Sequence, residues 1–265
     1  MERLMVVKLV GHGCTAEAWF NGLPLARVTP LATEAVVPAH EAALIGVNRL
    51  ELVVGPDAGA SSAAALLQNA PHAMSAQLHL LLPRIGAAVD ETHARTLAHL
   101  EWACAAGEPF SLPARQQHDA DLPIRFPRWR WLDAPVVQPT AAVTQQAHAF
   151  VSGLARDLAR GQTESFMTAT RLRTEELALA YQRSPESEAA RLREWLEQMY
   201  AVSRLVWQPL RPEEMRLRPL AGGRLLECLG GDGRAALTTV PDKAGDVLAL
   251  PLKVSVVDGR FYVLR

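Results

Sequence analysis

The stretch Asp133-Ala-Pro-Val-Val-Gln-Pro139 divides the sequence. Pro135 and Pro139 each push the residue before them out of the helical region, so the stretch reads as an extended linker. Ahead of it lie short strand-like runs broken by Gly, Pro and Asn. Behind it, from about Pro139 to Arg204, the pattern is helical, and strands then return to Arg265. This β, then α, then β order predicts two domains, residues 1–135 and 136–265.

Working back from the linker, 122–132 alternates Ile124 and Phe126, then Arg128 and Arg130 against Trp129 and Trp131. That alternation predicts a strand, and Pro127 places it at an edge or a bulge. Further strands are expected at Met5–Val10, Ala16–Phe20, Leu23–Val28, Glu34–Val37, Asn48–Val54, 75–83 and Leu97–Cys104. Asn21-Gly22 joins two of them as a hairpin turn, since both residues tolerate positive φ. The small-residue piece Ala58–Ala70 reads as a loop or short helix.

Downstream, Thr140 is a candidate N-cap for a helix whose inner positions are Val143, Ala147, Phe150, Val151, Leu154 and Leu158, with Gly161 at its end. Thr163-Glu164 restarts a second helix reaching Tyr181. Ser184-Pro185-Glu186 opens a third with cap, proline and acid in the favoured order. Its inner face is Leu192, Leu196, Met199 and Ser203, with Trp195 and Val202 beside it; Glu188, Arg191, Arg193, Glu194 and Glu197 form a solvated face. Strands at Met215–Leu220, Arg224–Leu229, Ala235–Val240, Leu248–Val257 and Arg260–Leu264 complete an antiparallel meander, separated by Gly-rich turns and Asp258-Gly259. The fold class expected is an N-terminal all-β sandwich followed by an α+β domain.

Composition narrows the function classes. The chain has 265 residues, 49% hydrophobic and 21% charged, with 27 basic and 28 acidic side chains and a formal net charge of −1. That is globular composition, and the even charge disfavours a nucleic-acid binder. The basic residues are almost all arginine, which fits a GC-rich bacterial genome; the lysines are Lys8, Lys243 and Lys253. Cys14, Cys104 and Cys228 lie far apart with no paired framework, which suggests a reducing compartment. No secretion signal is visible, and the richest apolar run, Leu78–Leu82, is too short to span a membrane. A cytoplasmic location is expected.

Two resemblances follow from quoted residues. Val256-Val-Asp-Gly-Arg-Phe-Tyr-Val-Leu-Arg265, after three helices and a meander, resembles the last hairpin of NTF2-like (SnoaL-like) domains. The resemblance implies a curved sheet wrapped round a long helix, leaving a cone-shaped pocket. Ala18-Trp-Phe-Asn-Gly-Leu-Pro-Leu-Ala26 and the later positions Gly46, Asn48, Leu50 and Leu52 resemble part of a galactose-binding-like jelly-roll sandwich. This implies a fold and no sugar site.

Chemistry is sparse. No phosphate loop, HExxH, GxSxG or GxGxxG occurs in context. All eight histidines lie at or before His148, so the acid–base pool expected inside the cone is thin: Tyr181, Tyr200 and Asp258 are the catalytic candidates that remain, with Glu227 and Cys228 behind them. Glu227 and Cys228 are neighbours on a strand and face opposite sides; Cys228 is expected inward. His118-Asp119-Ala120-Asp121 has metal-ligand chemistry but reads as an exposed polar loop, so no metal and no cofactor is expected. His40-Glu41 reads as a turn or helix start. Arg128-Trp129-Arg130-Trp131 is the candidate binding site: on a strand, tryptophan anchors would face one side and arginines the other. The alternative is two core tryptophans with solvated arginines, which predicts buried indoles. The sequence therefore leans away from an enzyme and toward a non-catalytic protein that engages a protein partner or small apolar ligand through the cone pocket or the sandwich edge. No nucleic-acid or membrane partner is expected, and the C-terminal sheet is a candidate homodimer surface. The alternatives are an NTF2-like isomerase or hydrolase on a small apolar substrate, and a carbohydrate-binding module.

Overall fold

A computed structural model describes residues 4–55, 66–83, 92–122, 126–202 and 204–265. The chain forms two compact units, residues 1–128 and 129–265.

The first unit contains β1 (Val6–His12), β2 (Ala16–Phe20), β3 (Leu23–Val28), β4 (Glu34–Pro38), β5 (Gly46–Val54), β6 (Leu66–Asn69), β7 (Met74–Pro83), β8 (Ala94–Cys104), β9 (Pro109–Leu112) and β10 (Ala114–Leu122). All the pairings are antiparallel. One sheet has the order β4-β1-β7-β8 and the other β10-β5-β2-β3, while β6 pairs with β9. Period-two alternation decides which face is buried. In β7, Met74, Ala76, Leu78 and Leu80 are buried while Gln77 is exposed; in β5, Leu50 and Leu52 are fully buried. The β2–β3 turn uses Asn21 and Gly22 at φ 52° and 77°, the left-handed pair that a tight hairpin requires.

Asn48 is wholly buried and fully used. Its Nδ2 donates to the carbonyls of Leu44 (2.9 Å) and Gly46 (2.7 Å), and its Oδ1 accepts from the Leu44 N–H (2.7 Å) and Asn21 Nδ2 (2.8 Å). One amide side chain thus fixes the entry to β5 and ties it to the β2–β3 turn.

Three expectations change here. The residues His118-Asp119-Ala120-Asp121 form no polar loop: they lie in β10, paired along its length with β5. Ala120 and Leu122 are buried while Asp119 and Asp121 are exposed, which is edge-strand alternation hidden by a polar outer face. Asp119 is taken by Arg49 in a bidentate pair at 2.8 Å for both contacts. The strand expected over 122–132 ends at Leu122; residues 123–125 lie outside the described residues, and Arg130–Asp133 is a 3-10 turn. Of the loop or helix expected at Ala58–Ala70, residues 56–65 lie outside the described residues, and 66–69 is strand β6.

The second unit contains α1 (Ala141–Ala159), α2 (Glu164–Ala180), α3 (Pro185–Ala201), β11 (Arg216–Leu220), β12 (Leu225–Leu229), β13 (Leu237–Thr238), β14 (Ala249–Leu250), β15 (Lys253–Val257) and β16 (Arg260–Val263). Thr140 caps α1 by accepting from the Val143 N–H, and Ser184 caps α3 by accepting from the Ser187 N–H. Ala147, Val151, Leu154 and Leu158 form the inner stripe of α1. They share one core with Phe166, Ala169, Leu196, Leu226, Cys228, Val254 and Val263. Val202, expected beside the inner face of α3, is instead 63% exposed, because the helix has ended at Ala201. Ser203 lies outside the described residues.

The sheet is no simple meander. Its order is β11-β12-β15-β16, and the intervening β13 and β14 leave it to pair with each other. The Gly230–Gly233 turn lets the chain depart after β12, so β15 takes the neighbouring place that the next strand was expected to fill. Cys228 faces the core and Glu227 the other way, where Arg218 (2.7 Å) and Lys253 (3.8 Å) hold it across adjacent strands. Burial pushes the Cys228 thiol up to about 12.

Candidate functional site

The Arg128–Trp131 motif comes first, because the sequence singles it out. Trp129 and Trp131 are 0% and 2% exposed. The backbone N–H of Arg130 donates to Glu176 Oε1 (2.5 Å), so this segment spends its donor on α2 and cannot join a strand ladder. The Arg130 guanidinium pairs with Glu175 (2.7 Å) and donates to the Leu172 carbonyl (3.1 Å). Arg265 lies over the Trp129 ring, 5.2 Å from its centroid, and pairs with Glu176. Trp129–Trp131 therefore clasps α2 and Arg265, which follows β16. Its indoles are core, and Arg128 is exposed.

Tyr181, Tyr200 and Asp258 are not gathered into a site. Tyr181 follows α2 with the Arg183 guanidinium 5.6 Å from its ring centroid. Tyr200 is exposed near the end of α3, and Asp258 sits at φ 50° in the β15–β16 turn. None of them lines the two larger cavities of this unit. Among the described residues, no group of three or more His, Cys, Asp or Glu is placed to hold a metal.

Both of those cavities flank residues 204–210, a segment strapped across the unit. Gln208 N–H donates to the Thr238 carbonyl and Val240 N–H to the Val206 carbonyl, each at 2.8 Å, and Arg204 pairs with Asp242. Asp242 also accepts from the N–H groups of Asp246 and Ala244; the Asp246 N–H foremost holds its carboxyl below the usual range. On the other side, His148 Nε2 on α1 meets the Leu210 carbonyl at 2.8 Å.

Between α1 and the strap lies a cavity of about 520 Å³, its wall chiefly apolar: Val151, Ala155, Leu205, Trp207, Leu210 and Leu237. Ser152 and Arg156 add polar atoms from α1. The cavity on the opposite side, about 460 Å³, is rimmed by Glu214, Asp232 and the glycine turn. Its carboxylates are already paired with Arg211 and Arg234; the Arg211 hydrogen bond holds Glu214 below the usual carboxylate range. In the first unit, Trp102 and Phe110 pack edge-to-face at 6.1 Å and line a smaller cavity of about 270 Å³.

His148 and Ser152 stand one helical turn apart, with Nε2 and Oγ separated by 3.3 Å. A carbonyl only accepts, so Nε2 must carry the proton it gives to Leu210. It therefore has no lone pair with which to draw a proton from Ser152, and the two do not form a nucleophile–base pair.

The sequence reading missed this site. Its signal is a polar stripe on α1, His148, Ser152 and Arg156, each four residues from the last and running beside the apolar stripe. The histidine count treated His148 as the end of a front-half set and not as the first member of that stripe. No helix among the described residues is long and apolar enough to cross a membrane. Compared with protein-family models, with curated proteins and with solved structures, the chain matches none.

Proposed function

We propose that this chain is a non-catalytic binding protein whose second unit takes a small apolar ligand in the cavity between α1 and the 204–210 strap. The observation that carries this reading is the cavity itself: its size falls within the range of small-molecule sites, roughly 300–1,000 Å³, and it is walled by apolar side chains with few polar groups. Catalysis is the poorer reading, because His148, bonded to Leu210 of the cavity wall, has its Nε2 proton committed to that residue's carbonyl. Within the same proposal the second unit is read as NTF2-like: three helices precede an antiparallel sheet, and the α1 stripe packs against Leu226, Cys228 and Val254. The first unit is read as a jelly-roll-like sandwich. Its two four-stranded sheets interleave distant strands, β1 beside β4 and β7, and β5 beside β2 and β10.

The test is saturable binding of a neutral apolar fluorophore, N-phenyl-1-naphthylamine, to the full chain and to Ala155→Trp, which fills the cavity. The expected result is one site per chain, lost in the variant while near-ultraviolet circular dichroism keeps its native form. Absent saturation, or equal binding by the variant, overturns the proposal.

A further inference from the structure

We infer that the ligand of this cavity is an amphipathic monocarboxylate whose apolar body fills the space while its acid group is held by Arg156 in the last turn of α1, with Ser152 one turn before it. The inference rests on the proposed function and specifies its ligand class.

Two observations converge. First, Arg156 lines the cavity and has no ion-pair or hydrogen-bond partner among the described residues. Several other arginines of the second unit are matched to carboxylates: Arg130 to Glu175, Arg193 to Glu164, Arg204 to Asp242, and Arg218 to Glu227. Second, Ser152 lines the cavity one turn before Arg156. His148 Nε2–H is given to the Leu210 carbonyl, so the Ser152 hydroxyl keeps its own proton to donate.

The chemistry follows. A planar guanidinium presents two parallel N–H donors that match the two oxygens of a carboxylate. An apolar tail attached to that carboxylate finds Val151, Ala155, Trp207 and Leu237 within the same cavity. A neutral apolar ligand would fill the cavity and leave the guanidinium unmatched; a small polar anion would match the guanidinium and leave the apolar wall wet.

The experiment is calorimetric titration of the full chain with octanoate and with octan-1-ol, which share a tail and differ in charge, each below its aggregation limit. Octanoate is expected to bind more tightly than the alcohol. Arg156→Gln is expected to weaken octanoate roughly tenfold, the worth of a charge-assisted hydrogen bond, and to leave octan-1-ol unchanged. Arg156 is exposed and unpaired, so the variant should keep the wild-type urea midpoint, which is measured alongside. Equal binding of acid and alcohol, or octanoate binding indifferent to Arg156→Gln, overturns the carboxylate assignment while the cavity remains a binding site. Binding of neither ligand overturns both.

Discussion

Asn48 and Glu176 show how single buried polar groups hold each unit. Removing the Asn48 amide strands the Leu44 N–H and two carbonyls in a half-buried site. Asn48→Ala is expected to cost about 1–3 kcal/mol, read by urea unfolding. Glu176 neutralises Arg265 and receives the Arg130 N–H at once. Glu176→Ala leaves a buried cation, and about 3–5 kcal/mol should be lost; Glu176→Gln keeps the acceptor for Arg130 and should lose less. The three thiols are all buried and pushed up, by burial foremost. Ellman's reagent at pH 8 should label none of them in the native chain and all three in urea; rapid native labelling would contradict the burial. At this scale the sequence was partly readable. The turn pair Asn21-Gly22 and the inward Cys228 follow from local rules. The destination of the Arg130 N–H does not, because its acceptor lies 46 residues away.

Elements read well where one face repeats, and poorly where the partner decides. α1 and α3 follow from caps and apolar stripes, α2 from its apolar stripe alone, and the β2–β3 hairpin follows from its turn. The polar β10 and the departure of β13 and β14 from the sheet depend on pairing with strands distant in sequence, which periodicity does not encode. The strap at 204–210 carries no repeat at all and is defined only by what it bonds to. Its anchor, Asp242, gives a pH prediction. The folded-state carboxyl is held below the ordinary 3.8, so its contribution is present above that value and is lost as pH falls through the lower folded-state one. Amide protection at Val240 and Gln208, relative to intrinsic exchange, should thus stay high from neutrality down to about pH 4 and fall below it. A fall already between pH 5 and 6 would mean that another group holds the strap.

For the whole molecule, the division into two units makes a boundary testable. The core of the second unit is drawn from that unit alone, from Ala147 to Val263. A fragment spanning 129–265 should therefore unfold cooperatively in urea. One starting at residue 136, where the linker prolines suggest the boundary, lacks Trp129, Arg130 and Trp131; the emptied Trp129 site alone should cost about 3–5 kcal/mol. Equal midpoints for the two fragments would contradict the clasp. The account as a whole depends on the α1–strap cavity receiving a ligand, and amide and indole chemical-shift mapping of the full chain during an octanoate titration tests this most directly. Saturable shifts concentrated at Ser152, Arg156, Gln208 and the Trp207 indole are the predicted result; shifts confined to residues 4–122, or none that saturate, would contradict it.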